Sequence, residues 1–348
     1  MKTSRNYPLD VLRVLACLLV IWQHASEHYY IMYDGHLSHE SSTTIIAFLN
    51  SLSRCSVPLF VMISGYFLLP MKDSATLFLR KRLTRILGPF IVWCVGYAIY
   101  YVFYWHHSLG QCLRNIAHIP VNYGTEVGHL WYVYMLLGLY LLVPVLSPWL
   151  RQCSRHQLQG YLGLWGLTTL LPYVHLLFPE VLGECFWNQS PMLYYYNGFV
   201  GYLLLGHYAR RYGLPAALPS LALLLVGYAV TCLVFYLRID GATWASEAEL
   251  SWEFCSANVA MMAVGIFSLV QRLSVKREHR LLTDIALTSY AIYLAHIIVL
   301  NFFLDSLAGR LGTVLLEIPL ISLLTLAVTY LLVKLLSRLP RSKYWLGA

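Results

Sequence analysis

Runs of about twenty mostly apolar residues, the length that crosses the hydrocarbon core of a bilayer, recur from one end of the chain to the other. Ten can be marked, at 8–28, 44–70, 86–106, 129–150, 160–179, 192–209, 216–237, 253–271, 284–304 and 313–336. The composition agrees: 59% of the 348 residues are hydrophobic and 11% are charged, against about 25% charged in a soluble domain. The chain is therefore expected to be all-α and polytopic, with about ten transmembrane helices. No hydrophilic stretch is long enough for a separate soluble unit, so residues 1–348 read as a single integral-membrane domain. The run at 44–70 is interrupted by Arg54 and Pro58, and a re-entrant piece followed by a span is the other way to read it. Lys2 and Arg5 ahead of the first run mimic a secretory signal, but Arg13 breaks the apolar stretch, which reads as a retained first span.

Basic residues orient the spans. With the N-terminus in the cytoplasm, nineteen of the 24 Lys and Arg fall in cytoplasmic segments. Three (Arg114, Arg238 and Arg310) fall in outer connections, and Arg13 and Arg54 fall within spans. Cytoplasmic loops carry the excess of Lys and Arg, so both termini are expected inside. The net charge of +8 is then mostly topology. Its neighbour is anionic membrane lipid, and nucleic acid is not expected as a partner. The outer connections lean acidic, with Asp34, Glu40, Glu126, Glu180, Glu184, Asp240, Glu247, Glu249 and Asp305. Eight scattered cysteines form no CxxC pair or zinc spacing, and no metal site is expected. Cys112 and Cys185 fall in outer connections, where a disulfide could form. No internal repeat is evident, which weighs against an inverted-repeat transporter.

Charged groups inside a span cost about 2.5–3.5 kcal/mol each on insertion scales, so those present need a purpose. Residues 10–30 read DVLRVLACLLVIWQHASEHYY. Arg13 and His24 are eleven positions apart, three helical turns plus about 20°, which puts them on one face about 16 Å apart. Asp10 precedes Arg13 by three and Glu27 follows His24 by three, on the same face. One stripe thus runs from an acid–base pair near the cytoplasm to a His–Glu pair nearer the outside. Arg13 alone could snorkel to headgroups; the aligned pair points instead to an interior pathway. Arg54, ahead of a proline, needs an anionic partner or a polar cavity, whereas Ser64 and Gly65 suit ordinary close helix packing. Arg82 and Arg85 share a face in FLRKRLTRILGPF, and their planar forks suit phosphate. Arg80 and Lys81 beside them read as an ordinary positive-inside flank. His129 and Trp131 open a later span, where interfacial anchoring explains the aromatics. His296 lies deep in an apolar helix, with Tyr293 three and Ser289 seven residues before it on its face.

Five stretches in this order, LDVLRVLACLLVIWQH, SVPLFVMISGYFL, RLTRILGPF, HLWYVYMLLGLYLLVPVL and SYAIYLAH, carry a resemblance over nearly the whole chain. It resembles the acyltransferase family 3 membrane proteins, the O-acyltransferases of bacterial surface polysaccharides, and among them the short members without an attached hydrolase-like domain. The resemblance implies a multi-pass protein of the bacterial inner membrane that moves an acyl group, usually acetyl from acetyl-CoA, to a hydroxyl of a glycan or lipid-linked saccharide. It implies that His24 is the essential histidine, Arg13 its partner, and Arg82 with Arg85 the R-x-x-R pair. The polar SEHYY after the histidine departs from the family's pattern and leaves the role of Glu27 open. With the donor that the resemblance implies, Arg82, Arg85 and Arg13 would hold its phosphates, and His24 would act as general base or nucleophile. Asp10, Arg54, His129, Trp131, Tyr293 and His296 would be supporting residues. A multi-span transporter, or a flippase or export component for an organic anion or polysaccharide, is the alternative class.

Overall fold

A computed structural model describes residues 6–32, 35–38, 42–121, 125–274 and 279–348. Lys2, Arg5, Asp34, Glu40, Lys276 and Arg277 lie outside the described residues, as does the side chain of Glu126. The elements in chain order are α1 (Tyr7–Glu27), α2 (Thr43–Ser51), α3 (Ser56–Leu68), α4 (Ala75–Tyr104) and α5 (Leu109–His118). Next come α6 (Trp131–Gln152), α7 (Arg155–Thr168), α8 (Leu171–Val174), α9 (Val200–Tyr212) and α10 (Ala217–Ile239). The chain finishes with α11 (Ala245–Ala248), α12 (Ala257–Gln271), α13 (Arg280–Leu307), α14 (Val314–Leu336) and α15 (Ser342–Trp345).

Among the described residues seven helices are long and apolar enough to cross a membrane. They are α1, the Thr43–Leu68 stretch of α2 and α3, α4, the Gly128–Gln152 stretch around α6, α10, α13 and α14. Ala245–Trp252 and α12, bent by 44° at a short break, make an eighth if counted together. The expected spans at 160–179 and 192–209 take a different form. They become α7 and α9, of 14 and 13 residues, each rising about 20 Å, short of a core about 30 Å thick. The cause is local. Pro172, Pro179 and Pro191 interrupt the apolar pattern and cannot continue a helix interior, and Leu182, Gly183 and Gly198 adopt positive φ. The chain between α7 and α9 folds as turns, leaving Phe186 89% and Tyr195 82% exposed.

Helix starts follow local chemistry. Ser154 and Gln157 close a reciprocal capping box on α7, and the Ser74 hydroxyl caps α4. The interruption at Arg54 is a single 3₁₀ turn, Leu52–Cys55, between α2 and α3. α1 is the central strut, packed against α3, α13 and α14, with Leu9, Leu12, Ala16 and Leu19 in the main core. α3 and α9 meet backbone to backbone. A Cβ at Gly65 would sit 1.8 Å from the Leu203 carbonyl oxygen, and one at Gly206 would sit 1.9 Å from that of Met62. Only glycine permits this approach, the small-residue packing expected of membrane helices. All eight cysteines, Cys112 and Cys185 included, are unbridged.

Candidate active site

The polar stripe of α1 faces an internal cavity of about 320 Å³. Arg13, Gln23 and His24 reach it from α1, Arg82 and Arg85 from α4, and His129 and Trp131 from the start of α6. α13 closes it with Ser289, Tyr290 and Tyr293. The two groups singled out in the sequence, a guanidinium cluster and a histidine, therefore line one space, joined by the three turns of α1 between Arg13 and His24.

At the histidine end, His24 Nδ1 donates to Glu27 Oε2 at 2.8 Å. Gln23 Nε2 donates to the other carboxylate oxygen at 3.2 Å. An ionised carboxylate only accepts, so this contact holds the proton on Nδ1 and leaves Nε2 as the atom able to take another. Two further imidazoles crowd around the ring. The His24 centroid lies 5.5 Å from that of His296 and 6.2 Å from that of His129, and His129 lies 5.2 Å from His296. His296 is fully buried and donates from Nδ1 to the Tyr293 carbonyl at 2.5 Å. The Tyr293 hydroxyl donates in turn to the carbonyl of His129, linking α13 to the turn before α6. The Nε2 atoms of both His129 and His296 are buried without a hydrogen-bond partner among the described residues. Among those residues no three His, Cys, Asp or Glu side chains are arranged to hold a metal ion.

Trp131, which the sequence suited to interfacial anchoring, turns inward with His129. His129 is buried between His24 and Tyr97, and Trp131 packs on Phe254 and Phe199 while lining the cavity. Interfacial and interior aromatics carry the same sequence signal, because both sit near a span's end. Tyr97 and Gln23 escaped the sequence reading altogether, each being an unremarkable member of an apolar run.

Arg54 has the anionic partner its burial demands. Its guanidinium lies 3.9 Å from Glu249, 3.2 Å from the Tyr30 hydroxyl and 4.1 Å from the centre of the Trp252 ring. Tyr30 also donates to Glu249. Arg54 is close enough to Glu27 to act on that carboxylate electrostatically, so its guanidinium supports the His24–Glu27 contact. At the other end Arg13 lies 3.9 Å from Asp10 and over the Phe67 ring at 5.2 Å. Arg82 and Arg85 have no ion-pair partner among the described residues.

The family model for an acyltransferase domain, acyltransferase 3, matches residues 6–334. The chain belongs to the acyltransferase 3 family. No curated protein and no solved structure shows a significant match. The chain is thus a membrane acyltransferase, and nothing in the match favours the transporter or export alternative. The matched region takes in the whole stripe on α1, the Arg82–Arg85 pair, the three imidazoles and the Arg54–Glu249 contact.

Proposed function

We propose that this acyltransferase moves an acetyl group from cytoplasmic acetyl-CoA to a hydroxyl of a surface glycan or lipid-linked sugar at the bacterial inner membrane. The single observation carrying this reading is that Arg82 and Arg85, without an ion-pair partner among the described residues, and the carboxylate-held His24 line the same cavity. The donor is a polyanion, and two planar guanidinium forks suit its phosphates. The positive-inside distribution of Lys and Arg places that end in the cytoplasm. The thioester then lies along α1, with Arg13 beside it and Asp10 holding Arg13.

In this scheme His24 Nε2 takes the proton of the acceptor hydroxyl as its oxygen attacks the thioester carbonyl. The new C–O bond forms, the C–S bond breaks, and the proton passes from Nε2 to the departing thiolate. Glu27 stabilises the imidazolium formed in between. General-base catalysis of this kind is worth about 10²–10⁴-fold. His129, which lines the cavity and whose Nε2 has no hydrogen-bond partner among the described residues, offers a lone pair to the acceptor hydroxyl or a neighbouring one. Trp131 and Tyr132 offer apolar walls for a sugar ring.

The test compares surface glycans, by mass spectrometry and NMR, from cells carrying the wild-type chain, His24→Ala, or no chain. The expected result is an O-acetyl group present only with the wild type, at equal protein levels for the variant. An unchanged acylation pattern in every glycan fraction would overturn the reading.

A further inference from the structure

The family match ends at residue 334, yet the chain beyond it packs against the arginine end of the cavity. After α14 the backbone turns at Arg341, φ 58°, and α15 lays residues 342–348 onto α4. Leu346 is fully buried. A Cβ at Gly88 would sit 2.5 Å from the Tyr344 carbonyl oxygen, so this segment and α4 touch through their backbones. Gly347, at φ 84°, rests against the ring of Tyr290, which walls the main cavity and donates to the Ile86 carbonyl at 3.1 Å.

Between this segment and α4 lies a recess of about 290 Å³, lined by Thr84, Arg85, Lys343, Tyr344, Gly347 and Ala348. Arg85 also lines the main cavity and a third recess of about 220 Å³. In that third recess Lys81 is already neutralised by Asp73 at 2.9 Å. The recess beside α15 differs. No Asp or Glu side chain lines it, and neither Arg85 nor Lys343 is in an ion pair among the described residues. Two cations facing one concavity, neither in an ion pair among the described residues, favour an anion there. One is a planar fork and the other a compact point charge, the two side-chain forms that bind phosphate.

We infer that Arg85 and Lys343 form a phosphate subsite, so that residues 342–348 complete the arginine end of the site. The chemistry is shared by the phosphomonoester of a nucleotide thioester, which rests on the function proposed above, and by the headgroup of an anionic lipid. The full chain in zwitterionic nanodiscs separates them by calorimetric titration with CoA and with 3′-dephospho-CoA, using wild type, Lys343→Ala, Lys343→Arg and Arg82→Ala. For a donor phosphate, Lys343→Ala weakens CoA binding about five- to tenfold, Lys343→Arg recovers most of it, and the penalty vanishes with dephospho-CoA. For a lipid phosphate, Lys343→Ala leaves CoA binding intact but, in a separate preparation extracted from phosphatidylglycerol-containing membranes, reduces the number of phosphatidylglycerol molecules retained in native mass spectrometry. Lys343 is exposed, so these variants leave the packing of Leu346 intact. If Lys343→Ala changes neither readout, the subsite is refuted; a loss with Arg82→Ala would then leave the donor reading standing. If the wild type binds no CoA, that reading falls instead, and lipid retention alone decides the subsite.

Discussion

Glu27→Gln isolates what the carboxylate contributes to the histidine. The change keeps the size of the side chain and removes its charge. In the native site His24 Nδ1 donates to one carboxylate oxygen at 2.8 Å and Gln23 donates to the other at 3.2 Å. An amide has one oxygen for two donors, and its own NH₂ faces whichever donor is left. Hydrogen bonds to charged groups contribute about 1.5–3 kcal/mol, against about 0.5–1.5 kcal/mol between neutral ones. The carboxylate matters most when His24 carries the extra proton, which in the proposed reaction is near the transition state. The loss is the difference, about 1–1.5 kcal/mol, which lowers kcat by about 5- to 13-fold. The KM for the donor should change little, because Glu27 is nearly four helical turns along α1 from Arg13. The assay follows label from acetyl-CoA into the surface-glycan fraction of membranes holding equal amounts of each variant. Because Glu27 acts through His24, adding Glu27→Gln to His24→Ala should cost almost nothing further. A kcat within twofold of wild type for the single variant, or the full loss persisting in the double variant, would refute the reasoning.

Two further predictions concern stability. Arg54→Ala strands Glu249 and Tyr30 without their cation and uncovers Trp252; breaking one side of a buried pair costs about 3–5 kcal/mol. It should lower the thermal unfolding midpoint of the detergent-solubilised protein sharply, with Glu249→Ala restoring part of the loss. Gly206→Leu forces a side chain into the Met62 carbonyl, where even a Cβ would lie at 1.9 Å, and overpacking of this kind costs about 1–3 kcal/mol or more. Gly166→Ala in α7 meets nothing within 4 Å, so the same thermal measurement should show no destabilisation there. Equal midpoints for Gly206→Leu and wild type would contradict the close α3–α9 contact.

Much of the molecule was legible in the sequence, for a local reason. Hydropathy over a twenty-residue window marks α1, α6, α10, α13 and α14 within a few residues of their ends, whereas α4 starts at Ala75, ahead of the run at 86–106, because its first turns carry the basic residues. Helical phase alone placed Asp10, Arg13, His24 and Glu27 on one face. The interruption at Arg54 was visible as a charge ahead of a proline, and becomes a 3₁₀ turn. Where prolines and positive-φ residues outweighed an apolar average, hydropathy misled, and α7 and α9 are 14 and 13 residues long, shorter than the runs that suggested them. Trp131 suited an anchor because position near a span's end does not say which way a side chain turns.

The sequence by itself determined a membrane-embedded, all-helical chain, its stripe on α1 and its phosphate-suited arginine pair. These depend on the 3.6-residue period and on the cost of taking charge into lipid, both of which act within one segment. Only the tertiary structure decided that the stripe and the arginines share one cavity, that Glu249 answers Arg54, and that three imidazoles from α1, the turn before α6 and α13 meet at His24. Those meetings join segments far apart in the chain, and they are set by how closely helices can pack. That closeness rests on side chains as small as the glycines between α3 and α9, whose effect no single segment reveals.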